Sequence, residues 1–249
     1  GSAASHAVVS WQDEFAVVPR RAGEAAIRGV DVERVAFGTG TGGGFAVSAV
    51  ETLRPNFAPL DYIGSHADLR AALGADARAG FEHFIALGAA EGRDVSFSAG
   101  AYLAANPDLL AAFGNDPEAA ALHWIETGWN EGRSQGFDGL NYIASYGDLS
   151  AAIGPRAEAG LAHFLAHGRA EGRSIDFDGL SYIASYRDLS AVLGTNATAG
   201  AVHRIQNGWT EGRTVSFDGL AYIASHGDLI DALGVDAAAG AAHRIGNGW

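Results

Sequence analysis

Five histidines recur at intervals of forty residues, His83, His123, His163, His203 and His243, and a regular row of imidazoles is a pattern from which metal sites can be built. His163 and His167 add an i,i+4 pair, the spacing at which two histidines on one helical turn share a zinc ion. Neither pattern predicts a metal centre. Successive units of an array are displaced from one another, so side chains forty apart need not converge on one ion. The His163–His167 pair occurs in one copy only, with no third ligand beside it. The reading the pattern supports is a recurring imidazole that hydrogen-bonds within its own turn.

The acids are also stamped out by repetition. Asp68, Asp108, Asp148, Asp188 and Asp228 fall where a first helical turn is expected, so each carboxylate meets the positive end of a helix dipole. Arg93, Arg133, Arg173 and Arg213 are expected to pair with carboxylates across the joint between copies, which would lock register rather than perform chemistry. A glycosidase needs one unique carboxylate pair at a set separation. No hydrolase elbow is expected, since the Gly-x-Ser-x-Gly string Gly132 to Gly136 falls at the joint between two helical copies rather than on a strand-to-helix turn, and the chain has no Cys. No catalytic residue, no metal and no cofactor is therefore expected, and the chain is read as not an enzyme.

Slots that vary between copies are where function can reside. The position after the helix-ending Gly holds Ala89, Trp129, Arg169, Trp209 and Trp249, and the one after the recurring His holds Phe84, Trp124, Phe164, Arg204 and Arg244. The loop position before the second helix holds His66, Asn106, Tyr146, Tyr186 and His226. A core slot is uniformly apolar, as Ile85, Ile125, Leu165, Ile205 and Ile245 are. Slots that alternate aromatic with Arg or His are expected to be partly exposed, and Trp, Tyr and Arg dominate binding patches. Trp129, Trp209, Trp249, Trp124, Tyr146, Tyr186, Arg204 and Arg244 are thus the candidate ligand-binding residues, suited to the apolar faces of sugar rings. The competing reading is that Trp129, Trp209 and Trp249 cover the seams between copies.

The elements that position these residues follow from the period. Phe57, Phe97, Phe137, Phe177 and Phe217 open five copies, at 57–96, 97–136, 137–176, 177–216 and a shorter 217–249. A fixed period of this size implies one supersecondary unit stacked on itself. Ala, Leu and capping residues favour helix over propeller blades, so a mostly α tandem array with about three short helices per unit is predicted. In the copy from Phe137, the expected helices are Gly139 to Ser145, Asp148 to Ile153 and about Pro155 to His167. Ser145 to Asp148 is read as a capping box with Ser145 as N-cap, and Gly154 and Gly168 as helix stops.

Residues 1–56 do not repeat and are read as a small β-rich cap or the tail of a preceding domain. Strands are expected at the apolar runs Ala7 to Val9 and Phe15 to Val18, across Val30 to Phe37, and from Phe45 to Val50. The Gly-rich run Gly38 to Gly44 lacks the Lys-Ser/Thr that completes a phosphate loop, and Phe45 follows it, so it is read as a hairpin or linker. Gly1-Ser2 reads as a cloning scar on a fragment of something longer. The net charge of -13 and the pI near 5.0 argue against nucleic acid, and no apolar run is long enough to span a membrane.

The copies resemble a repeat of large bacterial secreted and surface proteins, with a Tyr-[Ile/Leu]-x-x-Asn-Pro-Asp-[Leu/Val] segment followed by His-[aromatic]-x-x-x-Gly-x-x-Glu-Gly-Arg. Tyr102 to Leu109 followed by His123 to Arg133 matches that pattern most closely. The other copies keep Tyr, Asp-Leu, His and Gly but replace Asn-Pro, and the last stops before its Glu-Gly-Arg. The resemblance implies an extracellular or cell-surface bacterial setting, adhesin-like, and carries no catalytic residues. The calcium-binding Gly-Gly-x-Gly-x-Asp nonapeptide often found beside such repeats is absent, so calcium dependence is not implied. The function expected is a non-catalytic binding or adhesion module that engages cell-envelope or matrix polysaccharide. The alternative is a structural spacer or self-assembling scaffold that positions other domains of a larger chain, and the third is an enzyme with its site near the N-terminal region.

Overall fold

The computed structural model describes residues 6–12, 14–19, 26–30, 34–38, 47–52 and 57–249. It is mostly helical, a tandem array in which every forty-residue copy supplies three short helices. Two compact units divide it, Gly1–Gly136 and Phe137–Trp249.

In the first unit, β1 (His6–Trp11), β2 (Glu14–Pro19) and β3 (Ile27–Val30) form an antiparallel sheet in that order, with His6 opposite Pro19 and Glu14 opposite Val30. Strands β4 (Arg34–Gly38) and β5 (Val47–Thr52) pair separately as an antiparallel ribbon. The single strand expected from Val30 to Phe37 is therefore two, because β3 ends at Val30 and β4 begins at Arg34. The glycine-rich run from Thr39 to Gly44 lies outside the described residues.

The sheet is seated on the first copy. Trp11 packs on Phe81 with ring centroids 5.4 Å apart, Phe57 N–H donates to Ser10 O at 2.6 Å, and Glu14 pairs with Arg78 at 2.9 Å. These contacts tie the strands to the first copy, and the strands and the first two copies belong to one compact unit.

Each copy forms its helices for local reasons. In the copy opened by Phe137 they are Gly139–Ala144, Gly147–Ile153 and Ala157–His163. Asp138 caps the first by accepting from Asn141 N–H at 2.9 Å, and Asp178 and Asp218 repeat this. Asp76, Asp116, Asn196 and Asp236 cap their third helices in the same way.

The capping box at Ser145 does not form. Tyr146 is the N-cap and makes no side-chain cap bond. Ser145 Oγ instead accepts from the Asp176 and Phe177 N–H groups, both at 3.0 Å, and donates to Asn141 O at 2.8 Å. That hydroxyl fastens the junction with the next copy to the first helix of its own, and Ser65 and Ser185 do the same.

The third helix expected to His167 loses its regular period at Phe164. A wider turn covers Phe164–Gly168, and Arg169 N–H reaches back five residues to Phe164 O at 3.1 Å. Gly168 sits there because the Tyr142 hydroxyl passes where a Cβ would be, and Gly88, Gly128 and Gly208 face Tyr62, Tyr102 and Tyr182 identically.

Within each unit the first helix of a copy packs on its own third helix and on the third helix of the next copy. Tyr62, Ile63, Tyr142, Ile143, Tyr182 and Ile183 fill this layer and are fully buried. Burying each apolar face between two neighbours is what makes copies that could not fold alone stable as a stack.

Candidate functional site

The recurring histidines bond across the copy rather than within their own turn. His163 Nδ1 lies 3.0 Å from the Tyr142 hydroxyl, twenty-one residues earlier, and His83, His123, His203 and His243 meet Tyr62, Tyr102, Tyr182 and Tyr222 in the same way. The expectation missed this partner because the spacing of twenty-one spans two helices. Burial pushes the Tyr62, Tyr102, Tyr142 and Tyr182 hydroxyls up to about 12, so they stay protonated. His163 and His167 stand edge to face with centroids 5.6 Å apart. Among the described residues, no three His, Asp or Glu side chains are grouped to hold a metal ion.

The arginines form a clasp inside each copy, not across the joint. Arg173 pairs with Asp148 at 2.8 Å and with Glu171 at 2.6 Å, all three within 137–176. Arg93, Arg133 and Arg213 repeat the arrangement with Asp68 and Glu91, Asp108 and Glu131, and Asp188 and Glu211. Gly172, at φ 69°, turns the chain so that Arg173 is aimed back at its own second helix rather than onward. The guanidinium hydrogen bonds hold the Asp68, Asp108, Asp148 and Asp188 carboxyls below the usual carboxylate range.

The aromatic and Arg slots fall into three groups. Trp124 and Arg204, expected to be partly exposed, are buried at 2% and 8% exposure. Trp124 stacks on Phe97 with centroids 5.4 Å apart and donates Nε1–H to Gly64 O at 3.0 Å. Trp124 thus faces the preceding copy. Gly64 leaves room for Trp124 there: a Cβ on it would lie 3.1 Å from the indole Cδ1.

Trp129, Trp209 and Trp249 form the second group and are 49%, 39% and 44% exposed. Each ring nonetheless carries a guanidinium on one face. Arg70 lies 4.0 Å from the Trp129 centroid, Arg204 3.6 Å from Trp209, and Arg244 4.0 Å from Trp249. Each indole also reaches the copy before it. Trp129 does so through Arg70, Trp209 lies over Gly147, and Trp249 donates Nε1–H to Ser190 Oγ at 2.9 Å. Desolvation lowers the pKa of Arg70 and of Arg204. Arg204 Nη1 donates to the Arg213 and Gly208 carbonyls while its buried Nε has no partner, and half-buried Arg244 donates to Gly248 O.

Tyr146 and Tyr186 are the third group. Their hydroxyls accept from Ser174 and Thr214 N–H at 2.9 and 2.7 Å, and Arg173 and Arg213 lie 4.7 Å from the ring centroids. They brace the clasp within the copy and are not gathered with the tryptophans.

Sequence reasoning passed over one residue. Asp61 occupies a slot held elsewhere by Ala101, Asn141, Ser181 and Ala221, and it is the sole acid in that series. The signal was available, since an acid that departs from its own repeat is visible in the alignment of the copies. No family model matches the chain, and no curated protein or solved structure is matched either.

Proposed function

We propose that this chain is a non-catalytic scaffold, a spacer and interaction array of stacked helical copies. The observation that carries the reading is that the recurring polar groups are spent inside the fold. Each Tyr–His bond and each Arg–Asp–Glu clasp closes its own copy, each Ser fastening ties it to the start of the next, and the Arg-stacked tryptophans lean on the copy before them. Chemistry stamped out at every repeat and engaged in holding the repeat suits a part whose task is to set distances. An extracellular or cell-surface bacterial setting is part of the proposal and rests on the repeat resemblance.

A second reading, adhesion to envelope or matrix polysaccharide, is favoured by one observation. Trp129, Trp209 and Trp249 present partly exposed indoles at the same slot of three copies, where a sugar ring could rest. A glycan array probed with the intact chain and with a Trp209→Ala variant, its fold checked by circular dichroism, separates the two. A blank array from folded protein supports the scaffold. Selective binding that the variant loses would replace it with the adhesion reading.

A further inference from the structure

A cleft of about 450 Å³ opens where β1, the first copy and the second copy meet. Its walls include Trp11, Phe57, Pro59 and Pro117, with Asp61 and Glu118 as its acids. That volume lies in the range that accepts small organic molecules, and the pattern of apolar walls with few polar groups is that of a ligand pocket.

Asp61 has no structural task that explains its charge. Its carboxylate accepts a single long hydrogen bond, from Ala99 N–H at 3.4 Å, and forms no ion pair among the described residues. Burial pushes its carboxyl up to about 6, so it is still largely ionised at pH 7. The fold tolerates Ala, Asn or Ser at this slot in the other copies, so a half-buried unpaired carboxylate is a cost carried by one copy alone. Gln12, in the same wall, is the non-glycine residue with positive φ among the described residues, at 53°. Trp11 comes from the non-repeating strands, so no other copy has such a wall.

We propose that this cleft binds a small organic ammonium cation, its charge met by the Asp61 carboxylate and its apolar body flanked by the Trp11 and Phe57 rings. A cation supplies the counter-charge that Asp61 lacks, in a site where low dielectric strengthens the pairing. Aromatic faces attract the same cation through their quadrupoles. Glu118 adds a second negative charge in the cleft. The site goes beyond the scaffold reading and does not depend on it.

Isothermal titration of the intact chain tests the site, using choline, 2-phenylethylammonium and the neutral choline isostere 3,3-dimethylbutan-1-ol. The expected result is that a cation binds about tenfold or more tightly than the neutral alcohol, a difference of ~1.4 kcal/mol. Asp61→Asn should cut that preference severalfold, leaving what the aromatic faces and Glu118 supply. This variant is compatible with the fold because Asn141 stands at the same slot of the third copy. Trp11→Leu should weaken both cations while keeping the order. Equal affinity for the cations and the alcohol, no binding by any of them, or unchanged cation binding in a folded Asp61→Asn variant would overturn the proposal.

Discussion

The Tyr142 hydroxyl stands 3.0 Å from His163 Nδ1 and fills the place where a side chain on Gly168 would begin. Three residues recurring in separate parts of the copy are thus one device. The Gly opens a notch in the wide turn that follows the third helix, the Tyr reaches across from the first helix, and the His holds its hydroxyl. Gly168→Ala should therefore destabilise by about 1–3 kcal/mol through overpacking. Tyr142→Phe should cost about 1 kcal/mol through the lost hydrogen bond. Combined, they should cost less than the sum, because removing the hydroxyl makes room for the new methyl. Chemical denaturation of the three variants checks the coupling, and strict additivity would refute it.

Much of this device was written in the sequence, though not its wiring. The period, the helical class and the caps were legible because Phe, Gly and Asp recur in fixed local frames. The Tyr142–His163 and Arg173–Asp148 partnerships were not, since the partners lie 21 and 25 residues apart, where no local periodicity reports contact. Capping at Ser145 was misread because a Ser three residues before an Asp fits a box equally well when its hydroxyl serves a distant backbone. Among the site residues, Trp124 was taken as partly exposed because it shares its slot with Arg. The paired change was on the page: Gly64 replaces the Ala104, Ala144, Ala184 and Ala224 of the other copies, and Trp124 rests on it.

That pairing makes Gly64→Ala a sensitive substitution. A methyl there would come within 2.9 Å of Phe97 Cδ1 and 3.1 Å of Trp124 Cδ1. Loss of about 1–3 kcal/mol is expected for Gly64→Ala and about 3–5 kcal/mol for Trp124→Ala. Trp209→Ala should cost less, about 1 kcal/mol, since its ring is partly exposed and contributes mainly a cation–π contact to Arg204. Urea denaturation orders the three, and a Trp209 effect larger than that of Trp124 would reverse the assignment of seam and core.

Acid should disarm the clasps. The Arg213 hydrogen bond lowers the Asp188 pKa in the folded chain, so its stabilisation is present above the ordinary carboxylate range and is lost as pH falls through the lowered value. The gap in melting temperature between the parent chain and Asp188→Asn should be present at pH 7 and close under strong acid. Because the carboxylate is mostly exposed, the gap should also shrink in high salt. Thermal melts across pH and ionic strength read both, and a gap that persists at pH 2 would assign the effect to something other than this pair.

Asp61 should behave with the opposite sign. Burial raises its folded pKa from 3.8 to about 6, so between those values the folded chain binds more protons than the unfolded one. Its contribution to stability is then highest at low pH and falls as pH rises from about 4 to about 6. Asp61→Asn removes the titration, so this variant should be more stable than the parent at pH 7 by on the order of 1 kcal/mol, allowing for partial solvent access to the carboxylate. The two should converge near pH 4. An ammonium ligand in the cleft would shift the balance, favouring the ionised carboxylate, lowering its pKa and narrowing the difference at pH 7. Melting temperatures of parent and variant at pH 4 and pH 7, with and without choline, measure all of this at once. A parent chain more stable than Asp61→Asn at pH 7 without ligand would mean that the carboxylate already has a partner within the fold.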